Sequence, residues 1–207
     1  MPKVVDPEAR RRTVIDALFR VVVREGLQRA SLRVVADEAG LNIGSLRHYF
    51  ASQGELMDFA MRAMRDRVSA RLERRVAAAG DLAGLPREER VRLVTGLLEE
   101  LLPLDERRRA EVTVFLDFNG AARTNPAFRP LAHEVATGTR RLVHRALARL
   151  EQAGALRPGL DAGAETERLV SLLDGLCLNA VLHPEVLTPE RCAAVLHAHV
   201  RELTRED

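Results

Sequence analysis

The 207-residue chain has no tryptophan, one tyrosine and six phenylalanines, so aromatic residues make up only 3% of it. A β-sandwich or barrel core draws on Tyr, Phe and Thr, and this composition argues against either. Its two cysteines, Cys177 and Cys192, are too few for a disulfide framework. They fall in apolar helical stretches, so buried free thiols in a reducing compartment are expected. No apolar run approaches the roughly 20 residues that span a bilayer. The first residues are charged from Lys3 to Arg12 and lack the apolar segment of a signal peptide, which predicts a cytoplasmic protein with no membrane partner. No repeat or low-complexity segment is visible. Charge of one sign is also scarce, with a net +2 overall, but residues 1–50 hold nine Lys/Arg against six Asp/Glu while residues 51–207 hold 23 against 24. The positive excess therefore sits in the N-terminal quarter, where Arg10, Arg11 and Arg12 are adjacent.

What is abundant is Ala, Leu, Arg and Glu, and their periodicity is helical throughout. Val14, Ile15, Leu18, Phe19 and Val22 form one stripe between Pro7 and Glu25, with Gly26 as terminator. Ser31 stands as N-cap to a short helix that Gly40 ends, and Asn42 caps the next, whose inward positions are Ile43, Leu46 and Phe50. Ser52-Gln53-Gly54-Glu55 reads as a capping box that opens a fourth helix from about Gln53 to Ala79. Two short helices joined by Ala39-Gly40-Leu41-Asn42 make a helix-turn-helix.

Five further helices follow. The fifth carries Val91, Val94, Leu97, Leu98 and Leu101 and closes at Pro103. Asp105 caps the sixth, which runs to about Ala122, and the seventh follows Thr124-Asn125-Pro126 and lasts until Gly154 and Pro158. The eighth runs from Asp161 to about Leu182 and is apolar over more than one face, more surface than one core needs. Thr188 with Pro189 opens the ninth. The expected fold is all-α with nine helices, divided into a head, residues 1–52, and a helical body, residues 53–207.

On a wheel of 100° per residue, the core positions of the third helix leave Gly44 and His48 facing outward, Ser45 and Arg47 on the flanks and Tyr49 on the shoulder. Such a face suits a major groove. Gly44 permits close approach, Ser45 and His48 offer short hydrogen-bonding groups, and Arg47 can reach guanine edges or clamp a phosphate. Ser31 and Asn42, at helix starts, can present backbone N–H groups to phosphates.

The run from Ile15 through Leu56 closely resembles the DNA-binding domain of the TetR family. The resemblance is carried by Ala30-Ser31-Leu32-Arg33-Val34-Val35-Ala36, Ala39-Gly40-Leu41 and the continuous stretch from Gly44 to Leu56. It implies a DNA site comprising Ser31, Arg33, Asn42, Gly44, Ser45, Arg47, His48, Tyr49 and Gln53. Two positions depart from the family pattern: Arg47 stands where many members have Tyr, and Gln53 where most have Lys near the DNA backbone. Leu173-Asp174-Gly175-Leu176, Leu182-His183-Pro184-Glu185 and Leu187-Thr188-Pro189-Glu190 resemble the BetI-type subgroup. That resemblance implies a homodimer whose last two helices pair with their twins, a double-stranded DNA operator and a small-molecule effector.

Within the body, Phe115, Phe118, Asn119, His144 and Asn179 are the candidates for effector contact, beside Thr113, Asp117, Thr137, Thr139 and Asp174. His197 and His199, two apart on a helix, point in different directions and do not make a chelating pair with His183 or Cys192, so no metal is expected. No nucleophilic triad, phosphate loop or protease motif is present, so neither catalysis nor a cofactor is expected. The competing reading is a helical small-molecule sensor or carrier with a vestigial head, for which Gln53 is the support.

Overall fold

The computed structural model describes residues 7–206, so Lys3, at the start of the basic segment, lies outside the described residues. Among these the α-helices are α1 (Pro7–Glu25), α2 (Leu32–Glu38), α3 (Ile43–Tyr49), α4 (Gln53–Ala79), α5 (Arg87–Leu98), α6 (Glu106–Thr124), α7 (Arg129–Gln152), α8 (Ala162–Leu182) and α9 (Pro189–Leu203). Short 3₁₀ turns precede α2, follow α5 and precede α7. Extended pairing among the described residues is limited to one isolated bridge, Leu156 with Thr204. The all-helical expectation is met. No helix of the described residues is long and apolar enough to cross a membrane.

Helix ends follow side-chain chemistry. Ser31, Asn42, Asp161 and Thr188 each accept a hydrogen bond from the backbone N–H three residues on, satisfying a donor that the first helical turn leaves open. Asp105 does the same for Arg108 N at 2.8 Å. At the head of α4 the box is reciprocal: Glu55 N donates to Ser52 Oγ at 3.1 Å, and the Glu55 carboxylate accepts from Ala51 N at 2.8 Å.

The chain forms two compact units. The first comprises residues 1–65 and 113–132, the second residues 66–112 and 133–207. In the first, Leu18 and Val21 of α1, Val35 of α2, Leu46 of α3 and Leu56 of α4 are all fully buried. Phe118 of α6 is equally buried, its ring 5.1 Å from that of Phe128. Fully burying one such side chain contributes about 1.5–3 kcal/mol. Arg20 and Arg24 of α1 brace α2 by converging on Glu38 at 2.6 and 3.0 Å.

In the second unit, Val91 and Leu98 of α5, Leu147 and Leu150 of α7, Leu169 of α8 and Leu196 and Val200 of α9 make the core. This core also holds charge. Arg71 of α4, 8% exposed, bonds Glu100 at 3.1 Å and Glu111 through two bonds of 3.1 and 2.6 Å, while Arg75 reaches Glu100 at 2.9 Å. Burial pushes the Glu100 carboxyl up, but the hydrogen bonds from Arg75 and Arg71 outweigh it and hold the group below its ordinary range.

Candidate nucleic-acid interface

The turn between α2 and α3 depends on Gly40, whose φ of +66° lies in the left-handed region that side chains disfavour. There the chain reverses, and Leu41 N closes back on Ala36 O at 2.9 Å. Asn42 then caps α3 with a 2.7 Å bond from Ser45 N. A Cβ at Gly44 would stand 3.3 Å from the capping Asn42 oxygen, so a side chain there would crowd the cap.

Leu46 and Phe50 anchor the inner face of this helix at 0% and 5% exposure, and the Phe50 ring lies 5.4 Å from that of Phe59. Ile43, in the first turn at the edge of the core, is only half-buried, less than its inward spacing predicts. The outer face presents Gly44, Arg47 and His48, all exposed, with Ser45 and Tyr49 half-buried beside them. The rings of His48 and Tyr49 meet edge-on at 5.5 Å. Ser31 and Arg33 are exposed at the start of α2. Of the basic cluster on α1, Arg11 lies over the Phe59 ring at 5.6 Å, so its guanidinium also serves packing. The hydrogen bond from Arg20, then that from Arg24, holds the Glu38 carboxyl below the usual carboxylate range.

Gln53 is half-buried, and its Nε2 donates to Leu27 O at 3.2 Å. Leu27 N donates in turn to Asp117 of α6 at 2.9 Å. Both polar groups of residue 27 are thus held by side chains, one 26 and one 90 residues along the chain. Asp117, read from sequence as a polar group for an effector cavity, spends one carboxylate oxygen on the α1–α2 connection. Nothing in local periodicity announces such a bond.

The remaining effector candidates are divided between the two units. Phe118 is a core residue and Phe115 is half-buried, while Asn119 turns its amide back onto Phe115 O at 2.9 Å. In the second unit His144 is exposed, and Asn179, also exposed, donates to Gly175 O at 2.8 Å. Each stands beside a buried stripe residue, Val143 or Ala180, and the phase of the helix turns it outward. That unit has a small cavity of about 20 Å³, walled by Val76, Leu82, Leu93, Leu97 and Ala146 with Arg75 and Arg149 at its edge. Neither His144 nor Asn179 lines it.

A short helix held on a tight turn, with its inner face anchored and an arginine, a histidine and a glycine turned outward, has the form of the second helix of a helix-turn-helix. Residues 14–58 match the family of bacterial regulatory proteins named for TetR, and residues 88–205 match the C-terminal domain of BetI-type transcriptional repressors. Over 208 residues the chain is 36% identical to the HTH-type transcriptional regulator PksA of Bacillus subtilis, covering all of this chain and 96% of that protein. It is 31% identical to the regulator BetI of Burkholderia cenocepacia, with full coverage of both. A transcriptional regulator from Rhodococcus sp. Rha1 superposes with a TM-score of 0.76 and 28% identity, covering 93% of this chain and 95% of that one. A regulator from Saccharomonospora viridis, solved in complex with choline, shares the fold with a TM-score of 0.80 at 22% identity, over 98% and 100% of the two chains. The chain belongs to the TetR family and is a DNA-binding transcriptional regulator with a BetI-type C-terminal domain.

Proposed function

We propose that the protein is a repressor that binds a pseudo-palindromic operator as a homodimer and leaves it when a small-molecule effector occupies the body. The observation that carries this reading is the outer face of α3, where Gly44, Arg47 and His48 stand exposed over a buried Leu46. Residues 1–52 read DNA, with Arg47, His48, Ser45 and Tyr49 at base edges and Ser31, Arg33 and Asn42 at phosphates. Gln53 can join them with its second amide N–H while the first stays on Leu27 O.

Residues 53–207 bind the effector and form the dimer. On α8 and α9 and the segment between them, Leu178, Leu182, Val186 and Val195 are 45%, 60%, 60% and 42% exposed. An apolar face of that kind on a helix pair fits pairing with its twin in a four-helix bundle. A two-fold dimer sets its recognition helices about 34–36 Å apart, one turn of B-DNA or a multiple of it. Effector occupancy that shifts α4 alters that separation; a coupling of about 1–3 kcal/mol lowers operator affinity roughly 5- to 150-fold. The protein is cytoplasmic in this reading and has no catalytic role.

Selection of random duplexes by the full-length protein, repeated at two salt concentrations, tests the proposal. An enriched inverted repeat is the expected result. Retention without sequence preference would favour the sensor or carrier reading instead.

A further inference from the structure

The second unit carries a groove of about 570 Å³ along one side of α5, lined by Glu88, Glu89, Arg92, Thr95 and Glu99, with His197 of α9 opposite. This volume is within the range of small-molecule sites, roughly 300–1,000 Å³. Glu88, Arg92, Thr95 and Glu99 recur at i, i+4, i+7 and i+11, so they form one row on the helix surface. Three carboxylates meet two guanidiniums, Arg92 within the lining and Arg201 beside it, leaving one carboxylate in excess. Glu88 is taken up by Arg201 at 3.2 Å and Glu89 by Arg92 at 2.9 Å, while the Glu99 carboxylate has no partner among the described residues.

Thr95 points to a ligand independently of the charge. It is 4% exposed, and its Oγ1 is buried without a hydrogen bond. A helical threonine ordinarily bonds the carbonyl four residues back, and one that does not leaves a buried polar atom whose desolvation nothing offsets. A donor entering the groove would meet this hydroxyl and the Glu99 carboxylate on the same row.

The type of cation follows from which side chains are there. Residues 66–112 and 133–207, which make up the second unit, contain no Phe, Tyr or Trp. A quaternary ammonium has no N–H and is held by ring faces, which this unit does not supply. A protonated primary or secondary amine donates hydrogen bonds, and carboxylates with a hydroxyl are its complement. Glu88 and Glu99, the two ends of the row, are eleven residues apart, about 16 Å along the helix, so a linear molecule with several ammonium groups spans it.

We propose that the α5 groove is a binding site for a linear aliphatic polyamine, with Glu99 and Thr95 as its central contacts. It leaves the proposed dimer face clear. Val195 and His197 lie two positions apart on α9, about 200° round the helix, so the groove and the exposed apolar stripe occupy opposite sides.

Isothermal titration of the full-length protein with spermine, in the absence of DNA, tests this, with choline and magnesium as comparators. Spermine is expected to bind once per protomer. Glu99→Gln and Thr95→Val should each weaken it about tenfold, the effect of losing one hydrogen bond to a charged group. Choline should bind more weakly than spermine. Absence of spermine binding, affinity unchanged in both variants, or equal displacement by magnesium would overturn the proposal. Because no DNA is present, such a failure leaves the operator reading standing, and failed duplex selection would leave this site standing.

Discussion

Arg71→Met removes a buried guanidinium and the three hydrogen bonds of 2.6–3.1 Å that it gives to Glu100 and Glu111. Removing one partner of a buried ion pair costs about 3–5 kcal/mol, because the charge left behind stays desolvated. Glu100 keeps Arg75 at 2.9 Å, so most of the loss falls on Glu111. Against a total of about 5–15 kcal/mol for a folded domain, this is a large share. The sign of its pH dependence follows from the charges. In the parent protein Glu100 is held below its ordinary range, so its contribution is complete above the unfolded-state value and fades as pH falls through the folded one. In the variant Glu100 loses one of the two hydrogen bonds that hold it low and takes up a proton more readily, which relieves the penalty in acid. The gap between parent and variant should therefore be widest near neutral pH and narrow towards about pH 4.5. Adding Glu111→Gln to Arg71→Met should recover most of the loss at neutral pH. Urea unfolding followed by circular dichroism, at one fixed protomer concentration, measures all of this. A loss below about 1 kcal/mol, or a gap that widens in acid, would refute the argument that Arg71 balances two buried charges.

Asp117→Ala should free the Leu27 amide at a cost of about 1.5–3 kcal/mol of local stability, read as faster hydrogen exchange at that N–H; unchanged exchange would show that the bond holds nothing. Arg47→Ala should lower specific operator binding by about 1–3 kcal/mol and relax preference at one base position if the guanidinium reads a base. Preference and salt slope both unaltered would remove Arg47 from the interface. Leu178→Glu combined with Leu182→Glu should yield monomers in sedimentation and abolish cooperative occupation of the operator, whereas a persisting dimer would shift the interface to another face. Asn42→Ala should lower thermal stability by about 1 kcal/mol through loss of the α3 cap, and a melt identical to the parent's would contradict the capping role.

Helix boundaries were legible because their signals are local. Ser31, Asn42, Asp105 and Thr188 advertise a cap by type and position, and each makes the bond its type allows. The outer face of α3 was equally readable, since fixing Leu46 and Phe50 inward leaves Gly44 and His48 only one direction to face. The contacts of Gln53 and Asp117 with Leu27 were not, since the partner of each is a backbone group at a sequence distance that no period encodes. The Arg71 cluster escaped for a related reason. Arginine and glutamate on a helix read as a solvated face, and only packing of α4 with α6 and the turn after α5 buries them together. His144 and Asn179 were chosen by chemical type, while helix phase, set by their apolar neighbours, turned them to the surface.

The one tyrosine also makes the protein its own optical reporter. With no tryptophan anywhere in the chain, emission in the tyrosine band arises from Tyr49 alone, a half-buried ring on α3 in edge contact with His48. Stacked nucleobases quench phenol fluorescence, so engagement of this helix with a duplex should dim that single signal without any label. Ligands added to the DNA-free protein should leave it nearly unchanged, and the same cuvette can therefore separate occupancy of the head from occupancy of the body.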